Sequence, residues 1–542
     1  MQIETCKWPS TFVPLSSLTP RLLNSRERLG GDVSTAMQGS NRVSPRSAGR
    51  VAARGHLAAL PDPVSDGLRQ LLRDDFVASD EACRQHANDW WPITKVWASE
   101  GEVASIPAAI ARPGSADEVR SVLDLCRQHG VPVVTSGGRS GVCGQAVPVL
   151  GGVVLETTRL NRLLEVDETS MCATVEPGIF GHKLEADLRR HGYTLGHYPQ
   201  SIEISTVGGW IACRSAGQLS NKYGKIEDMV LGFDVALARP EEQGDVISFP
   251  AIPATAAGPD LRRAFLGSEG VLGVITQATL AISHAPESSD GLALTFNNFE
   301  SGLDAMRRAS QAGVSPAAMR LYDPDETARH FGASDCAAMI CVAEGSSDEV
   351  AAQLKDLRRI ALGAEQGDPR WVAHWLETRN DVSALDIAIE RGLVVDTIEV
   401  AALWRDVAST YGAIRQAILE IPGAMMASAH SSHAYSSGAC LYFTFVGVGD
   451  AGSDLDAKDR FYASAWSAAM EAAHAAGATI SHHHGIGIVR LNAFNTYTSQ
   501  AERDMLRALK RELDPMNILN PGKIGSPEDE ERSSPNWPPI SD

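Results

Sequence analysis

The 542-residue sequence predicts an α+β fold of at least two domains. Three observations carry that prediction. The chain exceeds the roughly 250–300 residues at which a single hydrophobic core stops growing. Between Ile106 and Ser283, short apolar runs and helical patterns alternate, but without the regular βαβ spacing of a parallel sheet. No Gly-x-Gly-x-x-Gly run follows a strand and opens a helix. The nearest approach, Gly267-Ser268-Glu269-Gly270-Val271-Leu272-Gly273, runs into a strand pattern at Val274-Ile275-Thr276. That argues against the regular dinucleotide-binding fold.

The elements follow in order. Residues 1–57 carry eight Lys/Arg against three Asp/Glu, with much Ser and Gly and no periodicity, so a disordered extension is expected there. The Arg-rich, acid-poor bias is also that of a transit peptide, but the amphipathic helix of such a signal is missing. Val119, Val122, Leu123 and Cys126 recur at helical spacing and predict a helix over Asp117–His129, stopped by Gly130. Pro132–Thr135 and Gly152–Leu155 read as short strands. Leu164–Asp167 and Cys172–Glu176 read as the arms of a hairpin, and Gly178–His191 as a helix capped by Gly192. From Pro286 to Ala424, amphipathic helices alternate with strands, as in a separate substrate domain. Asp459–Ala476 is an alanine-rich helix ended by Gly477. From Ser526 onward, acidic residues and prolines without apolar pattern predict a solvated tail.

Composition excludes several classes of function. A formal charge of −19 speaks against nucleic-acid binding, which needs a basic surface. No apolar run approaches the roughly 18–20 residues of a membrane span. Nine cysteines without a CxxC pair fit a reducing compartment, and with no recognisable targeting address the expected location is cytoplasmic.

Two stretches are rich in small residues: Ser136-Gly137-Gly138-Arg139-Ser140-Gly141, directly after a strand, and Thr206-Val207-Gly208-Gly209-Trp210 with Ser215-Ala216-Gly217. Small residues let backbone amides approach a phosphate, and consecutive free N–H groups form an anion-binding concavity. Two such cradles suggest a large diphosphate cofactor, FAD. A third signal is the run His482-His483-His484 before Gly485-Ile486-Gly487. From a strand, adjacent side chains point to opposite faces, so the triplet alone does not build a metal site. Neutral imidazole can move a proton at pH 7, which makes an active-site role the sharp reading and a satisfied core or surface cluster the bland one.

These motifs, with YGKIED (223–228), LGSEGVLGVIT (266–276), MRLYD (319–323), YSSGACLYF (435–443) and SHHHGIG (481–487), resemble the vanillyl-alcohol-oxidase/PCMH superfamily of flavoproteins. The similarity spans roughly Trp90 to Ile524 and lies within the type-4 FAD-linked oxidases and transferases, nearest the alkylglycerone-phosphate synthases. The resemblance implies a two-subdomain PCMH-type FAD-binding domain over 58–286 and an α/β substrate (cap) domain over 287–512. A segment over 513–525 returns to the FAD domain, and a disordered tail covers 526–542. It implies FAD contacts at Gly137, Gly138, Arg139, Ser140 and Gly141; at Pro199, Gln200 and Ser201; at Thr206, Gly208, Gly209 and Ser215; and at Glu269, Gly270 and Ile275 toward the adenine-ribose end. Gln200 replaces an acid of the family pattern. Arg139 stands where flavin-bonding members carry His, so FAD is expected to be non-covalent, with Cys143 just beyond the loop as the residue that could change this.

The same resemblance implies catalysis by Tyr435, His482, His483 and His484, and substrate binding by Arg320, His430 and His433. Arg320 is the cation that could favour a Tyr435 phenolate. His430 replaces an arginine of the ether-lipid enzymes and His433 a glutamine, which weakens a phosphate-binding reading. The metal-binding 2-hydroxyacid dehydrogenases of the superfamily place two histidines and a glutamate where this chain has Tyr435, Tyr442 and His483, so no metal is expected. Two chemistries compete. One is hydride transfer from an alcohol or 2-hydroxy acid to flavin N5; the other exchanges acyl for alkyl on an acyl-glycerone phosphate. The first is the expectation, with a small-molecule or lipid substrate and a homodimer as partners.

Overall fold

The structure, a computed structural model, describes residues 48–383, 385–449, 454–526 and 533–539. Three sheets organise the chain. The first holds β1 (Phe76–Val77), β2 (Ala109–Ala111), β3 (Val133–Ser136) and β4 (Val153–Glu156) in the order β1-β2-β4-β3. Strands β2, β4 and β3 run parallel. The helix between β2 and β3 runs Ala116–Gln128, and Ser115 caps it by accepting from the Glu118 amide. Val119, Val122, Leu123 and Cys126 are all fully buried, each contributing about 2 kcal/mol of apolar transfer. The predicted spacing is therefore the packed face.

Along the chain there follow β5 (Leu163–Asp167), β6 (Cys172–Val175), β7 (Tyr193–Thr194), β8 (Val230–Ala236), β9 (Val246–Phe249), β10 (Val274–Ala281) and β11 (Ser283–His284). Five form an antiparallel sheet, β5-β6-β10-β8-β9, while β7 and β11 make a ribbon. The predicted hairpin is the β5–β6 pair. The helix expected over Gly178–His191 begins three residues late, at Gly181. Phe180 instead forms a bridge with Thr206, which ties the helix entry to the second glycine stretch.

The third sheet has seven antiparallel strands. They are β12 (Ser288–Phe296), β13 (Ala318–Tyr322), β14 (Ala337–Gly345), β15 (Glu365–Gln366), β16 (Val394–Leu403), β17 (Ala424–Ala434) and β18 (Gly438–Gly447), ordered β15-β12-β14-β13-β17-β18-β16. Helix Leu455–Ala475, the expected alanine-rich one, buries Phe461, Tyr462, Ala465, Trp466 and Ala469 in the core shared with this sheet. The closing segment returns to β3: the Val133 amide donates to the Ile518 carbonyl at 2.7 Å, and the Asn520 amide to the Val133 carbonyl at 2.8 Å. Among the described residues, no helix is long and apolar enough to cross a membrane.

The ends depart from expectation where they are described. Residues 1–47 lie outside the described residues, but 48–57 are packed. Val51 is fully buried, and the buried Arg50 pairs with Glu102 at 2.9 Å, with Asp456 at 2.8 Å and with Asp459. In the tail, Trp537 packs edge-on against Trp91 at 4.7 Å and against Tyr462 at 5.7 Å. Composition averages over a segment and misses a single anchoring side chain within it.

Candidate active site

The first glycine loop follows β3, and it fits a diphosphate. Among the described residues, the amides of Gly138 to Val142 donate to no protein acceptor. Buried hydroxyls of Thr135, Ser136 and Thr206 beside the loop also lack a partner. A buried orphan polar group costs about 1–3 kcal/mol, so this cluster calls for a polar ligand. Glycine is needed for the two stretches to meet: a Cβ on Gly138 would lie 1.8 Å from the Ile204 carbonyl oxygen. These residues fit an FAD diphosphate. Gly209 is different, since a Cβ there meets only the Thr206 hydroxyl, at 3.4 Å.

The remaining expected cofactor positions divide. Arg139 donates to the Gln85 carbonyl. Ser140, Gly141 and Gly270 are half-buried. The Ser215 hydroxyl is bound to His197 at 2.9 Å. Gly208 packs on Pro177, and Pro199 is buried, while the exposed Gln200 reaches over to the Asp381 carbonyl at 2.7 Å, with Ser201 half-buried beside it. Ile275 packs within the core of the second sheet. The Glu269 carboxylate is engaged: it accepts from the amides of Ile486, at 2.6 Å, and Gly487, at 2.9 Å, so it braces the loop after the histidines. Cys143 is fully buried, with its sulfur 3.1 Å from an Arg490 Nη, away from the orphan amides.

The histidine triplet lies in a loop. Glu399 on β16 makes that loop: one carboxylate oxygen accepts from the Ser481 hydroxyl (2.9 Å) and from the amides of His482 (3.2 Å), His483 (3.2 Å) and His484 (2.8 Å). Its other oxygen pairs with Arg490 and lies 2.9 Å from His484 Nδ1. Glu399 and Arg490 are both fully buried. Burial alone would raise the Glu399 pKa, but the Arg490 charge and His484 hold it well below the usual carboxylate range. The loop ends by pressing on the first glycine stretch. Gly487 has φ +57°, and a Cβ there would meet the Cys143 carbonyl oxygen at 2.1 Å.

Strands β13, β17 and β18 supply the opposite wall. Tyr322 pairs with His430, and His430 with Tyr442; His433 then pairs with Cys440. Strict alternation would put His430 and His433 on opposite faces. A register shift between Ser431 and His433 brings both onto one face, toward the triplet, as bulges do. Tyr435, in the turn, has its hydroxyl 2.6 Å from His482 Nε2, and His482 Nδ1 is 2.8 Å from His483 Nδ1. Burial pushes the Tyr435 phenol up and holds His482 and His483 well below the usual imidazole range. All three groups are therefore neutral at pH 7. One proton is shared across each of the two contacts, and either tautomer of His482 satisfies both. An open cleft of about 340 Å³, lined by Arg214, Lys225, Glu269, His482 and His483, leads to this chain.

One expectation is corrected. Arg320 does not touch Tyr435. Its Nε donates to the Tyr322 hydroxyl at 3.0 Å and its Nη2 lies 2.7 Å from His430 Nε2. Tyr442 stacks on His483 at 6.0 Å, while His433 and Cys440 each bring a ligand atom within 4.8 Å of His482 and His483.

Sequence reasoning missed four residues. Glu399 is 83 residues from His482 in sequence and lies in no motif. Arg379 lies over Tyr198 and Trp375 at 5.2 and 5.3 Å, beside Arg320 over the same Trp375 at 5.6 Å; neither arginine has an ion pair among the described residues. His197 is fully buried beside Trp210. Its position next to the second cradle was the one available signal. Cys440 sits in YSSGACLYF, whose tyrosine drew the attention.

The chain matches two family patterns, described as FAD binding domain over residues 107–242 and FAD linked oxidases, C-terminal domain, over 285–524. It is 31% identical over 486 residues to an uncharacterized FAD-linked oxidoreductase, YgcU, of Escherichia coli K12, covering 85% of this chain and 98% of that one. It is 29% identical over 437 residues to the glycolate oxidase subunit GlcD of Bacillus subtilis, covering 78% and 89%. A solved alkyldihydroxyacetonephosphate synthase superposes with a TM-score of 0.72 at 25% identity, covering 88% of this chain and 89% of that one.

Proposed function

From the premise that this chain belongs to the FAD-linked oxidases, flavoenzymes that use FAD, we propose that it oxidises a 2-hydroxy acid or a related alcohol. The single observation that carries this reading is the neutral chain Tyr435–His482–His483, on a sheet whose strand β13 carries Arg320, which with Arg379 has no carboxylate partner among the described residues. When bound, FAD supplies the acceptor for the substrate's C–H hydride.

The residues supply the rest. Arg320 and Arg379 attract the carboxylate, and their stacking on Trp375 holds the guanidinium planes against bending away. The substrate hydroxyl then meets Tyr435. A phenol is a poor base, but Tyr435 can take the hydroxyl proton while its own passes to His482 Nε2, and the His482 Nδ1 proton passes to His483. No charge accumulates on the phenol. Glu399 and Glu269 act as positioning residues, fixing the loop through five backbone amides. The half-reaction removes a hydride and a proton and leaves a 2-oxo acid, and a separate acceptor then takes the electrons.

Stopped-flow reduction tests this. Tyr435→Phe and His482→Ala should each slow the reductive step by about 10²-fold or more, with FAD content unchanged. Wild-type rates in both variants would refute the relay. A second reading, acyl-for-alkyl exchange, is supported by the similarity to the solved synthase. It requires Tyr435 too, but no net reduction of FAD.

A further inference from the structure

Residues 217–221 set two side-chain amides against the wall of the site, and each amide is half satisfied. The Gly217 carbonyl accepts from His433 Nε2 at 3.0 Å, which holds the segment to β17. Asn221 Oδ1 accepts from the Ala434 amide at 3.1 Å, one residue before Tyr435. Asn221 Nδ2 is buried and has no acceptor among the described residues. Gln218 is only 8% exposed. Its Nε2 donates to the Arg379 carbonyl at 2.7 Å, while its buried Oε1 has no donor among the described residues. A backbone partner fixes which way each amide points, so an acceptor is left over at Gln218 and a donor at Asn221. The two lie three residues apart, across the turn that opens the short helix Ser220–Tyr223, and so on one side of it. Beside Arg379, Asn380 Oδ1 is a further buried acceptor without a donor among the described residues.

These atoms select among ligands. An alkyl chain would leave them all unpaired, and a buried polar atom left unpaired weighs against binding. A second carboxylate could accept from Asn221 but would repel Gln218 Oε1, since both are acceptors. A hydroxyl donates and accepts through one oxygen, so it suits both amides. We propose that the substrate is a polyhydroxy acid, a 2-hydroxy acid with at least one further hydroxyl, and that Gln218 and Asn221 read that hydroxyl. Arg320 and Arg379 take the carboxylate and Tyr435 meets the 2-hydroxyl, as above. The further hydroxyl keeps its proton and its C–H bonds, so its role is in selection and not in the reaction. The inference rests on the hydroxy-acid reading for the reacting group, and on Gln218 and Asn221 alone for the selection.

The test compares acids of matched skeleton on the FAD-loaded protein: glycerate with lactate, and erythronate with 2-hydroxybutyrate, each in both configurations at C2. Anaerobic stopped-flow gives the rate constant of flavin reduction, and perturbation of the flavin spectrum gives Kd. In the wild type, the rate constant divided by Kd should favour the hydroxylated member of a pair by at least about tenfold. Gln218→Met keeps the length of the side chain without its acceptor, and should bring that ratio below about twofold with FAD retained. Asn221→Asp keeps the contact to Ala434, removes the donor and should lower the ratio likewise; it decides if Gln218→Met does not fold. A wild type without the preference, or variants that keep it, would overturn the proposal. So would loss of FAD from folded Gln218→Met, which would make the amide a cofactor contact. If no acid bleaches the flavin, the hydroxy-acid reading falls separately, and Kd decides here. Binding of the hydroxylated member at least about tenfold tighter, and lost in Gln218→Met, would support the selection, and equal binding would overturn it.

Discussion

Glu399 has no chemistry to perform on a substrate, yet three consecutive histidine amides and a buried arginine depend on it. The site is thus set by groups of two kinds, those that face the cleft and those that hold them. Arg320 is of the first kind. Arg320→Lys keeps the charge but loses the planar fork that stacks on Trp375, so KM for an anionic substrate should rise by about tenfold or more, about 1.4 kcal/mol. Unchanged KM would reduce Arg320 to a partner of His430. His197 is of the second kind. Burial holds it at about 3, against about 6.5 when unfolded, so the folded state keeps it neutral while the unfolded state protonates. Its contribution to stability is therefore constant above pH 6.5 and declines as pH falls from there toward 3, by up to about 1.4 kcal/mol per pH unit. Chemical denaturation at pH 7.5 and 5 should show a smaller pH-dependent loss in His197→Asn than in the wild type. Equal losses would contradict this.

At the scale of elements, the glycine stretches were legible because their chemistry is local. A strand followed by a run of small residues has few uses, and the orphan amides of Gly138 to Val142 lie in the predicted loop. The helix Ala116–Gln128 was legible from four residues at one spacing. The bulge at Ser432 was not, because alternation carries no mark of a skipped residue, and it alone puts His430 and His433 on one wall. Glu399 and Arg379 were equally hidden, since they reach the site through sheet order. The cradle can be tested without disturbing its packing. Gly138→Asp would strike the Ile204 backbone, whereas Gly209 has room for a side chain. Gly209→Asp should therefore fold with wild-type circular dichroism and lose most of its FAD, because a carboxylate repels the diphosphate. Full FAD content would place the phosphates elsewhere.

At the scale of the whole molecule, both described ends close over one aromatic cluster. Trp537 meets Trp91, Trp97 and Tyr462, and Tyr462 binds Asp396 on the strand that carries Glu399. The composition of a tail does not disclose that one tryptophan in it is an anchor. Trp537→Ala should lower stability by about 2 kcal/mol, less than a fully buried tryptophan would cost, and leave FAD bound. A change below a few tenths would mean the tail adds nothing. Globally, the two cradles and the histidine loop meet because the closing segment Ile518–Asn520 pairs back onto β3.

The central claim is that electrons leave the substrate. Its most direct test is anaerobic mixing of the FAD-loaded protein with a panel of 2-hydroxy acids, alcohols and acyl-glycerone phosphates, monitored by visible flavin absorbance. The account predicts that at least one 2-hydroxy acid bleaches the flavin with no other acceptor present. Release of fatty acid from an acyl-glycerone phosphate with a long-chain alcohol, while every hydroxy acid leaves the absorbance unchanged, would contradict it.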